Sequence, residues 1–273
     1  MIEADVESGR HESLAFDRVA ATYDQTRGFP PGVGEKVAAA LLPHLPRPGH
    51  VLEVGVGTGR IARLLLNLGV PVVGIDLSRP MMDRLRGVQP AGPAAVRLVQ
   101  GDARRLPLAA RAVTAVIAVH LFHLVGDAEQ AMNDVLRVIA PRGVVAVGWN
   151  WHPPDSIGRR VRRAWREIVA QHGADMGAPG LREMDAPVKF FRGRARRYAE
   201  IQACEWHVER TPRQALEDVE KKTFSSSWVV GEAVFPVCLA ELHAWTEREL
   251  PDLDRSRNEL RRFIWHIFGG WSA

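Results

Sequence analysis

Residues 51–60 read Val-Leu-Glu-Val-Gly-Val-Gly-Thr-Gly-Arg, an apolar run that breaks into three alternating glycines and gives way to helix-forming sequence. Val51, Leu52 and Val54 suit a buried parallel strand. Glycines at 55, 57 and 59 allow a sharp turn whose backbone approaches a ligand without Cβ interference. Three alternating glycines sacrifice conformational entropy unless something must come close to the chain. The run from Val70 to Ile75 reads as a second strand ending in Asp76, nineteen residues after Gly57. A carboxylate beside the glycine turn accepts both hydroxyls of a ribose, so the stretch predicts a nucleotide-type cofactor site.

The glycines alone leave the nucleotide open, because Gly57-Thr58-Gly59-Arg60-Ile61-Ala62 also satisfies the loose G-x-G-x-x-G/A pattern of dinucleotide sites. Further segments bear on the choice: Glu53 two residues before Gly55, the run Gly101-Asp102-Ala103-Arg104-Arg105-Leu106-Pro107-Leu108, and Val113 to Val119 opening into His120-Leu121-Phe122-His123. With the helix, turn and strand pattern of residues 135–145, these make the chain resemble the class I S-adenosylmethionine-dependent methyltransferases. Arg142 stands where a second glycine is common in that family. Upstream, Phe16-Asp17-Arg18-Val19-Ala20-Ala21-Thr22-Tyr23-Asp24 looks like the N-terminal helix of the subgroup that includes quinone-biosynthesis enzymes. The resemblance covers about residues 16 to 150.

It implies a Rossmann-like, doubly wound, mostly parallel seven-stranded sheet with helices on both faces and a helical lid. It further implies binding of S-adenosyl-L-methionine, with S-adenosyl-L-homocysteine as product. The turn at Gly55, Gly57 and Gly59 would wrap the methionine part, Asp76 would hold the ribose, and Asp102 and Ala103 would lie against the adenine. Glu53 would receive the amino group, and a Glu at a strand's buried end needs such a partner. Tyr23 and Arg27 would close over the methionine end, Arg27 pairing with the carboxylate, and Leu77, Met81 and His120 complete the cofactor set. Simpler readings stand beside these: Asp76 or Ser78 as a helix cap, Asp102 as a turn residue, Tyr23 packing with Phe16 and Val19.

The coarse map alternates strand and helix, with strands near 51–55, 71–76, 96–100, 113–119 and 143–148, which implies a parallel sheet with ligand at the carboxyl ends of its strands. Helical spacing runs from Gly59 to Leu68 and from Ala128 to Ile139. Residues 200–210 and 260–268 read as strands six and seven, with helices near 212–222 and 232–249. The cofactor core is then 1–151, 199–210 and 259–273, and 152–198 and 211–258 are insertions forming a substrate lid. Residues 156–200 hold ten arginines and one lysine against five acids, a stronger basic balance than the whole chain's +4.

At 273 residues and 46% hydrophobic content, the chain suffices for one good core. No apolar run reaches the roughly 18 residues of a membrane span, and the acidic N-terminus lacks the pattern of a signal peptide. The expected location is cytoplasmic, where Cys204 and Cys238 stay reduced.

His120 and His123 follow strand four, at the mouth of the expected pocket. H-x-x-H has no third ligand at convincing spacing, so no metal is expected. His123 is the candidate general base for a hydroxyl or amine acceptor. Trp149, Trp151 and Phe122 are candidates to line a pocket for a ring-bearing acceptor, although such aromatics also fill cores, and the arginines suggest an anionic one. Methyl transfer by in-line displacement is driven mainly by positioning, so the expectation is a methyltransferase for a small-molecule acceptor, acting as monomer or homodimer. An NAD(P)-dependent oxidoreductase and a non-catalytic cofactor-binding protein are the alternatives. Arg60, where a pattern from Gly55 wants glycine, speaks against the former, and RNA as substrate is a minority reading because no appended RNA module is evident.

Overall fold

The computed structural model describes residues 13, 15–17, 20, 23–89, 95–174, 181, 183, 185–224, 227, 228 and 230–271. Seven strands form one sheet: β1 Val51–Val54, β2 Val72–Asp76, β3 Arg97–Gln100, β4 Val113–Val119, β5 Ile139–Trp151, β6 Ala195–Arg210 and β7 Arg257–Trp271, in the order β3-β2-β1-β4-β5-β7-β6. β1 runs parallel to β2 and β4, β3 to β2, and β5 to β4. The strand order reverses between β1 and β4. A ligand crevice forms at such a switch point, outside the carboxyl ends of the strands. All four β1 residues are buried, as the apolar run predicted, Glu53 among them.

The helices are α1 Tyr23–Arg27, α2 Val33–Leu41, α3 Ala62–Asn67, α4 Arg79–Val88, α5 Ala128–Val138, α6 Ile157–Gln171, α7 Ala186–Arg192, α8 Pro212–Glu220 and α9 Phe235–Glu249. Contacts divide the described residues into two units, one within 1–149, 179–204 and 263–273, the other within 150–178 and 205–262. In the first, α5 buries Ala128, Ala131, Met132, Val135 and Val138 in a core with Leu52, Val54, Val116, Val145 and Phe268. In the second, Val161 and Trp165 of α6, Leu216 of α8 and Leu242 of α9 share a separate core.

The division departs from the expected lid boundary, since the described residues 181, 183 and 185–198 fall in the first unit. Phe191 of α7 explains it: the ring is fully buried and lies 5.6 Å from that of Phe268 and 6.0 Å from that of Phe122. Residues 205–210 and 257–262, the outer parts of β6 and β7, go with the second unit.

Several elements differ from expectation, among them β6, which starts at Ala195 rather than near 200, and β7, which runs Arg257–Trp271 rather than 260–268. The described residues Phe16 and Ala20 are not α-helical, and the helix begins only at Tyr23; Val19 lies outside the described residues. α3 starts at Ala62 because 59–61 complete the glycine turn. β5 starts at Ile139, before the expected turn, and the extra residues are absorbed in a register shift opposite Val113 and Ala115.

Candidate active site

β1 leads into a turn in which Gly55, Gly57 and Gly59 all take left-handed backbone angles (φ +74°, +54° and +82°). Such angles strain any other residue. A Cβ on Gly57 would also stand 3.3 Å from Met81 Cε, and one on Gly55 2.8 Å from Leu121 Cδ1. Gly59 serves packing, because its Cβ would meet Leu85 Cδ1 of α4 at 2.5 Å.

The turn is fastened to the end of β2. The amides of Gly55 and Val56 donate to the Ile75 carbonyl at 2.8 and 3.0 Å. Gly57 N–H donates to Asp76 Oδ2 at 2.7 Å, and Ser78 N–H to Asp76 Oδ1 at 2.8 Å. Ser78, not Asp76, caps α4, its hydroxyl accepting from the Met81 amide. A carboxylate offers about four lone-pair sites, so each Asp76 oxygen retains acceptor capacity after these two bonds. Burial raises the Asp76 pKa, and the Asp17 carboxylate adds to the rise against the Ser78, Gly57 and Leu77 amides.

Asp76 lines a cleft of about 690 Å³ together with Tyr23, Gly55, Gly57, Leu77, Met81, Asp102, Ala103 and His120. The structure thus brings together nine of the residues singled out in the sequence. Leu121, Leu124 and Val125 add an apolar wall, and Phe16 stands edge-on to Tyr23 at 5.9 Å. Leu121 has no assigned role in the sequence reading, and its apolar character is the one signal there for a wall residue.

Glu53 is buried beneath the turn. Burial pushes its pKa up to about 8, against the Arg60 charge and a bond from the Ala62 amide. Its Oε2 has no hydrogen-bond partner among the described residues. Arg60 donates to the Arg27 carbonyl at 2.8 Å and lies 4.7 Å from the Phe29 ring centre, so the arginine that broke the dinucleotide pattern is the charge beside Glu53. The Asp102 carboxylate is already engaged: burial opposes its ionisation, but Arg104, donating from Nη2 at 2.7 Å and Nε at 3.0 Å, holds its pKa below the usual range.

His120, at a left-handed φ of +50°, borders both this cleft and a second cavity of about 300 Å³. The second cavity is walled by Phe122, His123, Trp149, Leu181 and Pro187, with Glu183 at its margin. The Trp149 ring lies 4.4 Å from that of His266, whose Nδ1 shares a 2.9 Å hydrogen bond with the Tyr198 hydroxyl. Burial, helped by the Arg27 charge, pushes the His123 pKa down to about 4. Trp151 falls in the second unit, where the Arg262 guanidinium sits 5.0 Å from its ring centre. Among the described residues no cluster of His, Cys, Asp or Glu is placed to hold a metal ion.

An uncharacterized methyltransferase of Mycobacterium tuberculosis is 30% identical to this chain over 219 residues, spanning 80% of each protein. The chain belongs to the methyltransferase family. The model of a methyltransferase domain matches residues 52–147, which hold the glycine turn, Asp76, Asp102 and both histidines of the pocket mouth. A malonyl-acyl-carrier protein O-methyltransferase of Methylococcus capsulatus is 28% identical over 167 residues, 60% of this chain and 59% of that protein. The fold is shared with a putative methyltransferase from an antibiotic biosynthesis pathway of Anabaena variabilis, at a TM-score of 0.55 and 17% identity over 84% of this chain and 95% of that one. Membership in this family sets the oxidoreductase reading aside. No helix among the described residues of the methyltransferase is long and apolar enough to cross a membrane.

Proposed function

We propose that this methyltransferase uses S-adenosyl-L-methionine, held in the larger cleft, to methylate a small ring-bearing acceptor seated in the second cavity. The observation that carries the proposal is the Asp76 carboxylate, fixed by the Gly57 and Ser78 amides on the wall of a cleft that the glycine turn leaves open. It offers two oxygens to paired hydroxyls. Glu53 and Arg27 suit the amino and carboxylate ends of the cofactor, Leu77, Met81 and Ala103 give apolar walls to a flat base, and Asp102, bonded to Arg104, belongs to the same wall. When bound, the cofactor supplies an electrophilic methyl group on a sulfonium.

The protein's own part is orientation and exclusion of water. Leu121, Leu124 and Val125 keep the cleft apolar, while Phe122 and Trp149 offer aromatic faces to the acceptor. His123 is neutral across the physiological range, and a base so hard to protonate accepts little of a proton in a transition state. Turnover is therefore expected to show no inflection from His123 between pH 5.5 and 8.5, and His123→Asn to keep the parent's pH profile with less than about a tenfold fall in kcat. Loss of a pH-dependent limb in the variant would reinstate His123 as the base.

The reading is tested by supplying S-adenosyl-L-methionine with panels of aromatic, aliphatic and anionic acceptors and measuring S-adenosyl-L-homocysteine. Acceptor-dependent product with ring-bearing compounds is expected. Product without dependence on any acceptor, or none at all with the cofactor bound, contradicts it.

A further inference from the structure

We propose that the second unit carries a binding site for a phosphate-type dianion, built by Arg159 and Arg162 of α6, Arg210 of β6 and Arg261 of β7 around His152 and the start of α6. The site lies wholly within that unit and goes beyond the methyl-transfer reading, on which it does not depend.

The first argument is charge. All four arginines act on His152, and the carboxylates among them are two: Glu259, which accepts from Arg261 Nη2 at 2.5 Å, and Asp218 of α8, bonded to Arg210. Glu259 also accepts from the Ile157 amide, so its charge is shared between a helix start and a guanidinium. His152 hydrogen-bonds through Nδ1 to Arg261. Burial and then these arginines push its pKa down to about 3, so the imidazole adds no charge of its own. Arg261 and Arg210 are paired with these two acids, and Arg159, which donates to the His152 carbonyl at 3.1 Å, is a guanidinium beyond those pairs. Guanidinium forks match the oxygens of phosphate.

The second argument is unused donors. Arg210 Nε and Ser156 Oγ are buried and have no hydrogen-bond partner among the described residues, and Ser156 as a whole is only 5% exposed. Ser156 stands at the N-cap of the 15-residue α6 without a capping bond from its side chain, and that helix end favours anions. Buried donors without acceptors are rare in native proteins. Between them, Gly158 leaves room: a Cβ there would have only Arg210 Nε at 3.6 Å and Arg162 Nη1 at 3.8 Å within 4 Å. The absent side chain thus keeps open a space that two guanidinium groups border.

The test is calorimetric titration of the full-length protein with inorganic phosphate, phenyl phosphate and acetate at constant ionic strength. Phosphate is expected to bind at least about tenfold more tightly than acetate. Arg210→Gln and Gly158→Ala are both expected to weaken it by about tenfold or more, while Arg248→Gln on α9 leaves it unchanged. Gly158→Ala separates binding from folding, because alanine favours a helix and the variant's Tm is expected to equal or exceed the parent's. The His152 ring is an independent reporter: its titration midpoint rises when phosphate is present, since a neighbouring anion favours the protonated form. Tighter binding of phenyl phosphate than phosphate identifies a phosphorylated metabolite as the source, and equal binding identifies free phosphate. Phosphate binding no tighter than acetate, or unchanged in Arg210→Gln and Gly158→Ala, overturns the proposal.

Discussion

Replacing Asp76 with alanine is expected to weaken S-adenosyl-L-methionine binding by roughly 1–3 kcal/mol, about 5- to 150-fold in Kd. The substitution removes the acceptors proposed for the ribose hydroxyls. It also leaves the Gly57 and Ser78 amides, now bonded at 2.7 and 2.8 Å, without their acceptor. The pH dependence supplies a second sign. Burial and then Asp17 raise the Asp76 pKa, and hydroxyl donors favour the charged carboxylate, so affinity falls with acidification earlier than it does for an ordinary aspartate. Asp17→Asn moves that fall to lower pH. Calorimetric titration of the parent and both variants across the acid range checks both statements, and an unchanged Kd in Asp76→Ala removes the cofactor from this cleft.

Glu53→Gln is expected to change how stability depends on pH by the largest amount of any single substitution at the site. A carboxyl whose pKa rises from 4.5 to about 8 on folding carries on the order of 4–5 kcal/mol of pH-linked free energy. The folded chain holds a proton that the unfolded chain has released, so this stability is fully present below pH 4.5 and is lost as pH rises through about 8. The buried His123 and His152, with lowered pKa values, act in the opposite direction, but only below the unfolded imidazole value of 6.5. Between pH 6.5 and 8.5 the parent is therefore expected to lose roughly 2 kcal/mol through Glu53, and the glutamine variant to lose none of it. Urea unfolding of the two proteins at those pH values measures the difference; parallel profiles would mean that Glu53 is ionised beside Arg60 in the folded protein.

The parts of this molecule that could be read in its sequence are those where one short stretch contains its own cause. β1, β2 and β4 are largely apolar runs bounded by turn residues, and their bounds come out within a residue of expectation. The three glycines had to be left-handed for the chain to turn, and they are. What escaped depends on residues far apart in the chain. Nothing around Asp17 announces the Ser78 hydroxyl 61 positions on, nor does Arg60 announce the Arg27 carbonyl. The place of Phe191 as a central ring of the first core follows only from its contacts with Phe122 and Phe268, far away in the chain. Asp102 is the opposite case: its partner Arg104 was two residues away, but the sequence did not say that the pair would close on itself. Gly59 was legible as a turn glycine, but not its close approach to Leu85, which belongs to the next helix.

The central claim, that the cleft bordered by Asp76 and the glycine turn holds S-adenosyl-L-methionine, is met most directly by calorimetric titration of ligand-stripped protein with S-adenosyl-L-methionine, S-adenosyl-L-homocysteine and NADH. The account predicts saturable binding of the first two at a single site, lost together in Asp76→Ala, and no heat from NADH. Binding of NADH alone would contradict it and return the glycine turn to a dinucleotide.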